Sequence, residues 1–421
     1  MEQLLQYVWK HKFFSQENLT TTDGRKVHVL ETGVQNTNAG PDFLNARIEI
    51  NGVLWAGNIE IHEMASAWYS HHHDKDKAYN NVILHVVGKA NMDVATEDGN
   101  RIPQLVMSMP EHIVENYQTL LVEDRYPPCH RVVPHIPTLI VNNWIRALET
   151  ERLNQKATHI AQNATRLNND WEKTYFVALA RSFGFGINGD TFEDWAETIP
   201  LNIAAHHQDD LFQIEALFLG QAGLLDDENT HEISLPEWTE HSVADLKKEY
   251  NYLRHKFSLT PIKPHLWKYL RLRPQNFPHL RILQLANLYV AEKTTLSRLI
   301  GCKTIAEMRN LLRPSHDETM HLSDESVNLL LINTALPMIF AYGKHKGKDT
   351  LCEKALDMLL LLKSEDNHIV RMWEEVGLKA HNAFESQALI QLKKEYCDKR
   401  RCLHCRIGYE YLKAKYIERT E

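Results

Sequence analysis

AGPDFLNARIEINGVLWAGNIEIHEMASAWYSHHHDKDKAYNNVILHVV, residues 39–87, sets acidic and imidazole side chains inside runs that are otherwise apolar or alternate apolar with polar. Asn51-Gly52 divides residues 45–50 from 53–63, and this pair suits a two-residue type I′ turn because both of its positions take positive φ. The stretch is therefore expected to fold as a β-hairpin. Residues 82–87 are apolar but for His85, as in a strand buried on both faces. Alternation along residues 57–62 assigns Ile59 and Ile61 to one face and Asn58, Glu60 and His62 to the other. Burying an unpaired charge is costly, so carboxylates and histidines in such strands call for partners, often a metal ion.

Around this core the pattern is helix then sheet. Residues 2–13 place Leu5, Val8 and Trp9 on one helical face. A short strand is expected at 26–31, a polar loop at 32–40, and a further strand at 101–107 after the turn Glu97-Asp98-Gly99-Asn100. After Pro127-Pro128 apolar residues recur at helical spacing, among them Ile136, Leu139, Val141, Trp144, Ile145 and Leu148. Breaks fall at 184–186, near Pro200, in the acidic run 226–229, at 261–264, at Pro274 and Pro278, and at Pro314. The expected class is α+β: residues 1–126 form a small mixed sheet with a flanking helix, and residues 127–421 form a large all-helical domain ending in a cysteine cluster.

A chain of 421 residues with 43% hydrophobic content can bury a large core. Its net charge of −8 provides no global cationic field for nucleic acid, although the sign can reverse locally. The N-terminal residues lack the build of a signal peptide, and no apolar run approaches the roughly 20 residues that span a bilayer. A cytoplasmic protein without membrane contact is expected. Six cysteines in so long a chain are too few for a disulfide framework.

Asp42 precedes the first hairpin strand and Glu60 lies on the second, so the hairpin is expected to bring both carboxylates to one end of the sheet. Hard cations such as Mg²⁺ or Mn²⁺ take oxygen ligands of this kind, and His62 widens the choice toward Mn²⁺ or Zn²⁺. His85, in the next strand, is a further candidate ligand. His71, His72 and His73 lie in a polar stretch expected to be a loop, where clustered imidazoles are most often solvated, although metal sites do recruit loop histidines. A structural alternative stands beside the metal site: Asp42 caps a turn, Glu60 pairs with Arg47 across the hairpin, and His62 and His85 are satisfied core residues.

Two further features carry chemistry. Cys397, Cys402 and Cys405 crowd together near the C-terminus at a spacing that suits Zn²⁺ or an iron-sulfur centre, with zinc the first choice. Cys129, in Pro127-Pro128-Cys129-His130, is the expected fourth ligand, since His404 would strain against its neighbour Cys405. Such a closure would clip the last helix back onto the first domain. Ordinary reduced thiols are the alternative, and Cys302 and Cys352 look like small core residues. Residues 251–291 contain no Asp or Glu but seven cations, Arg254, Lys256, Lys263, Lys268, Arg271, Arg273 and Arg281, interleaved with Tyr252, Phe257, Trp267, Tyr269 and Phe277. Cations beside stacking rings suit DNA or RNA. The alternative is a solvated helix face over core aromatics. The tail, residues 391–421, adds nine Lys/Arg against five Asp/Glu.

Pro41-Asp42 and Glu60-x-His62 resemble the PD-(D/E)xK nuclease superfamily, whose core hairpin carries an Asp at its start and Glu-x-Lys on the following strand. The resemblance implies one or two divalent ions on Asp42 and Glu60, with His62 standing where the lysine that positions water would be. The first helix offers only Glu2 and Gln6 for the superfamily's helical acid. Over nearly its full length the sequence also resembles an uncharacterised bacterial family known as a domain of unknown function. That likeness rests on Leu5-Gln6-Tyr7-Val8-Trp9, Gly40-Pro41-Asp42-Phe43, Gly57-Asn58-Ile59-Glu60-Ile61-His62, Val82-Ile83-Leu84-His85-Val86-Val87, Gly220-Gln221-Ala222-Gly223 and Arg273-Pro274-Gln275-Asn276-Phe277-Pro278, and implies no activity.

The expected function is a divalent-metal-dependent phosphodiesterase or nuclease-like protein. Asp42, Glu60 and His62 would be catalytic, and Arg254, Lys256, Lys268, Arg271 and Arg273 would grip phosphates. The alternatives are an inactive nucleic-acid-binding or scaffold protein with a degenerate nuclease core, and a metal-dependent hydrolase of a small molecule.

Overall fold

The computed structural model describes residues 1–226, 235, 241–314 and 322–415. Residues 227–229 of the expected acidic break and residues 416–421 of the basic tail lie outside them. The chain divides into two compact units, Met1–Val141 with Lys394–Glu421, and Asn142–Lys393. The class is α+β, a mixed sheet followed by a large helical region.

In the first unit, helix α1 (Glu2–Lys10) buries Leu5, Val8 and Trp9 on one face. It ends before the expected residue 13, where Lys12 turns to φ 51° and its ammonium donates to the Leu30 carbonyl. The strands are β1 (Val27–Glu31), β2 (Val34–Gln35), β3 (Phe43–Ile50), β4 (Val53–Met64), β5 (Val82–Lys89) and β6 (Gln104–Val106). Their order in the sheet is β1-β3-β4-β5-β6, with β2 also pairing β3. β3 and β4 form the expected antiparallel hairpin, and Asn51 and Gly52 both have positive φ, 50° and 81°. β4 then pairs with β5 in parallel, and β5 with β6 in parallel. The strand expected at 101–107 is regular only over Gln104–Val106, because Arg101 makes an isolated bridge to Ala95 and Pro103 lacks a ladder donor.

β4 is central and differs along its length. Val53 to Ala56 are exposed, whereas Ile59 to His62 are all buried, so alternation there separates two covered faces rather than core from solvent. α1 packs against β4. The parallel connection from β4 to β5 runs through the short helix α2 (Ala67–Ser70) and two 3-10 turns, His73–Lys75 and Lys77–Tyr79. Trp68 and Tyr79 form a small core with Val82, Val94 and Ile102, and the Trp68 indole donates to the Ala95 carbonyl at 2.9 Å. The register of β4 on β5 shifts between Asn58 and Ile59, setting Glu60 beside His85.

The second unit is helical, with a core in which Phe176, Trp195, Phe218 and Tyr289 pack together. Cys302 belongs to that core and Cys352 packs against it. Contrary to expectation, one run, Asp324–Lys346, is long and apolar enough by length and composition to cross a membrane, with mean hydropathy 1.4. Its apolar window is 72% buried inside the protein, so it reads as a core helix.

Gly57 faces the shifted register: a β-carbon there would lie 2.4 Å from Ile83 Cγ2 and 2.8 Å from the Asn81 carbonyl oxygen. Gly57→Ala is therefore expected to overpack the β4–β5 seam and destabilise the first unit by about 1–3 kcal/mol. Denaturant unfolding followed by tryptophan fluorescence checks this, and unchanged stability would count against the tight seam.

Candidate functional site

The buried half of β4, its connection to β5 and β5 itself bring one carboxylate and four imidazoles together. His62 Nδ1 lies 2.9 Å from His85 Nε2, and His62 Nε2 lies 3.2 Å from His71 Nδ1. Glu60 Oε1 is 3.5 Å from His62 Nε2 and 3.2 Å from His73 Nε2. One ligand atom from each of His62, His71 and His73 lies within 4.8 Å of the other two. Glu60, His62, His73 and His85 are buried, whereas His71 is exposed, so the trio opens to solvent on one side.

Backbone shape explains the convergence. His72 has φ 62°, a left-handed conformation that turns the chain sharply between its two neighbours. The loop expected to solvate its histidines instead buries His73, stacked on Tyr79 with ring centroids 3.8 Å apart, while His72 stays exposed. His73 Nε2 is buried without a hydrogen-bond partner, although Glu60 Oε1 is near. Donor atoms this close without hydrogen-bond geometry suit a shared cation better than a bond between them.

Asp42 supports the carboxylate. Its backbone N–H donates to Glu60 Oε2 at 3.0 Å, leaving Oε1 toward the imidazoles. Its own carboxylate accepts from the Ile61 N–H at 3.0 Å and from Gln6 Nε2 at 2.8 Å. Asp42 thus meets Glu60 through its backbone N–H, while its carboxylate, expected as a cation ligand, is bonded to Ile61 and Gln6 and lies outside the imidazole trio. The pairing of Glu60 with Arg47 does not occur: Arg47 reaches Glu31 across β1 and β3 at 3.2 Å, in an exposed position. On α1, Gln6 touches Asp42, and burial raises the Glu2 carboxyl above its ordinary range, with His71 opposing and Glu60 adding to the rise.

His85, expected as a ligand, instead stands behind His62. With one imidazole as donor and the other as acceptor, their contact orients His62 and leaves its Nε2 toward His71 and Glu60. Burial, then the neighbouring imidazoles, pushes His62 down to about 3, and burial does the same to His85. Both are neutral at pH 7 and can offer lone pairs. Burial, then Glu60, pushes Asp42 up to about 7, so this carboxyl holds a proton near neutrality.

The cysteines also meet. Cys129, Cys397, Cys402 and Cys405 line one cavity together with Leu120, Pro128, Tyr396 and Gly408, all within the first unit. His404 does not line it.

In the second unit, Lys268, Arg271 and Arg273 are exposed, as are Arg254 and Lys256 on the helix Val243–Phe257. Arg254 lies 4.0 Å from Asp226, and Lys256 stands over the rings of Tyr252 and Phe257. The interleaved aromatics serve mainly the core: Trp267 is buried, and Phe257 and Tyr269 pack against the same cluster. Arg281 is buried too, bonded to Gln284 and Asn276. Apolar spacing between the cations was the available sign that these rings face inward.

From the sequence, His71 and His73 are secondary candidates beside Asp42, Glu60 and His62. Their x-spaced placement around one residue was the available signal, but its meaning depends on the turn at His72. The depressed values of His62 and His85 make their contribution to stability complete above about pH 6.5, the ordinary imidazole value, and lost as pH falls toward about 3. Asp42 acts oppositely, its contribution being lost as pH rises from about 3.8 through about 7. In chelator-treated protein, imidazole ¹⁵N shifts at pH 5.5 are expected to show His62 and His85 neutral. Protonation of both near pH 6.5 would refute the burial argument.

No curated protein and no solved structure matches this chain. The family described as "Protein of unknown function (DUF2851)" matches residues 2–368, a span that holds α1, the sheet and the imidazole trio and stops short of Cys397. On that match, which covers most of its 421 residues, the chain belongs to this family.

Proposed function

We propose that the first unit is a divalent-metal-dependent hydrolase centre whose substrate is a phosphodiester. The observation that carries this reading is the convergence of His62, His71 and His73 within 4.8 Å beside Glu60 Oε1. Three imidazoles and a carboxylate are a nitrogen-rich donor set, which favours Zn²⁺ or Mn²⁺ over Mg²⁺. An ion held there supplies Lewis acidity and makes water a better nucleophile near neutral pH. His71, on the exposed side, marks where substrate would approach.

The protein groups have separate tasks. Glu60 would balance the charge of a bound ion, and the Asp42 backbone N–H fixes which of its oxygens faces the imidazoles. The Asp42 side chain, titrating near neutrality beside Glu60, suits proton transfer. A cation beside Glu60 would favour ionised Asp42, so metal uptake near pH 7 should release a proton.

The phosphodiester assignment draws on two supports. Asp42 and Glu60 keep the hairpin layout that resembles PD-(D/E)xK nucleases, with His62 in the lysine's place. Lys268, Arg271 and Arg273 are exposed within a stretch free of acids, which suits a polyanion such as DNA or RNA. These cations also favour the second reading, a nucleic-acid-binding protein whose centre is inactive. The cytoplasm is the proposed location.

Metal-loaded protein is expected to cleave a chromogenic phosphodiester or nucleic acid with Zn²⁺ or Mn²⁺. Glu60→Gln and His73→Ala should lower turnover by at least about 100-fold, and His85→Gln should weaken metal binding by about 10–100-fold. Salt-sensitive nucleic-acid binding with no cleavage under any ion would establish the binding reading instead. Cleavage that survives Glu60→Gln, His73→Ala and chelation would reject the centre.

A further inference from the structure

We infer that Cys129, Cys397, Cys402 and Cys405 form a second metal site, a four-thiolate Zn²⁺ centre that fastens the C-terminal segment to the first unit. It is independent of the imidazole centre and of the proposed hydrolysis.

The four cysteines come from two segments far apart in the chain and line one cavity, which Leu120, Pro128 and Tyr396 also line with apolar surface. None of the four is in a disulfide; Cys129 and Cys405 are buried, and Cys397 and Cys402 partly so. The other two cysteines lie in the separate helical core, so the four are gathered in one place rather than scattered. Four thiols in a dry cavity with no charged lining residue match the soft, closed donor set of structural zinc, with sulfur about 2.3 Å from the ion. Among the described residues the imidazole trio alone already has three donor atoms within 4.8 Å of one another, so the thiols would draw in by side-chain rotation.

The backbone around the thiols is shaped for this. Cys402–His404 form a 3-10 turn in which the Cys405 N–H donates to the Cys402 carbonyl at 3.2 Å, and Cys405 caps the last helix, Arg406–Lys413. Both sulfurs of this Cys-x-x-Cys thus leave one tight turn. Gly408 lets the helix sit against the turn: a β-carbon there would fall 2.1 Å from the Cys402 carbonyl oxygen. The segment is also tied to helix α3 (Glu111–Val122) and its exit. Asn116 Nδ2 donates to the Tyr411 and Ala414 carbonyls at 3.1 and 2.9 Å, and an Arg400 guanidinium N–H donates to the Leu120 carbonyl at 2.9 Å. Tyr126 donates to Asp398 at 2.7 Å, beside Cys129 and Cys397 in sequence. These bonds hold the two segments together at the cavity.

Zinc content of the full chain, purified without added chelator, tests the site. About one zinc per chain should persist in the His62→Ala/His73→Ala variant and be lost in Cys402→Ser. Titration with an organomercurial should release that zinc as four thiols react. Because Cys402→Ser can disturb folding, the wild-type chain refolded with Co²⁺ gives a second reading: a near-ultraviolet sulfur-to-cobalt charge-transfer band with intense tetrahedral visible bands. Absence of both the zinc and the cobalt-thiolate band would overturn the proposal. So would iron with acid-labile sulfide, or a disulfide among the four in protein handled without oxidant. Loss of hydrolysis with zinc and cobalt-thiolate signals intact would count against the imidazole centre alone.

Discussion

Burial of Glu60 among imidazoles is the constraint around which the first unit is arranged. A carboxylate that is 4% exposed, with the His62 and His73 imidazoles beside it, has among the described residues no permanently charged cation to offset its desolvation. The fold meets this cost locally: the Asp42 N–H donates to one oxygen, and the imidazoles crowd the other. On the proposed reading, a divalent ion would satisfy Glu60 Oε1 and the unpaired His73 Nε2 together.

The sheet order makes that arrangement possible. A hairpin alone would leave Glu60 and His62 facing solvent or a helix. The parallel pairing of β4 with β5 places His85 beside Glu60 and requires a crossover, and that crossover carries His71 and His73. The same demand for a parallel neighbour therefore covers the second face of β4 and supplies two of the three donors. Trp68 and Tyr79, within the crossover, hold it down through apolar contact with Val82, Val94 and Ile102, and Tyr79 stacks directly on His73. Shape and chemistry share the same residues here.

Much of the fold was legible because it is encoded at short range. The Asn51-Gly52 turn, the apolar β5 and the face of α1 depend on residues a few positions apart, and each formed as the local pattern requires. The boundaries were less legible: α1 ends early because Lys12 reaches the carbonyls of β1, a contact across 18 positions. In the second unit, the apolar content of Asp324–Lys346 is explained by enclosure within a core, which composition alone does not distinguish from a membrane span.

The sequence by itself determined that acidic and imidazole side chains occupy an otherwise apolar strand, that Glu60 and His62 share a face, and that a cluster of thiols lies near the C-terminus. Period-two alternation and residue chemistry require no knowledge of the chain's path. Only the tertiary structure decided which groups meet: His71 and His73 with His62 beside Glu60, Arg47 with Glu31, and Cys129 with a segment some 270 positions away. The physical reason is that such meetings depend on a left-handed turn at His72, a register shift at Ile59 and the docking of distant segments. Each of these is set by the packing of the whole unit and by no pattern within the segment itself.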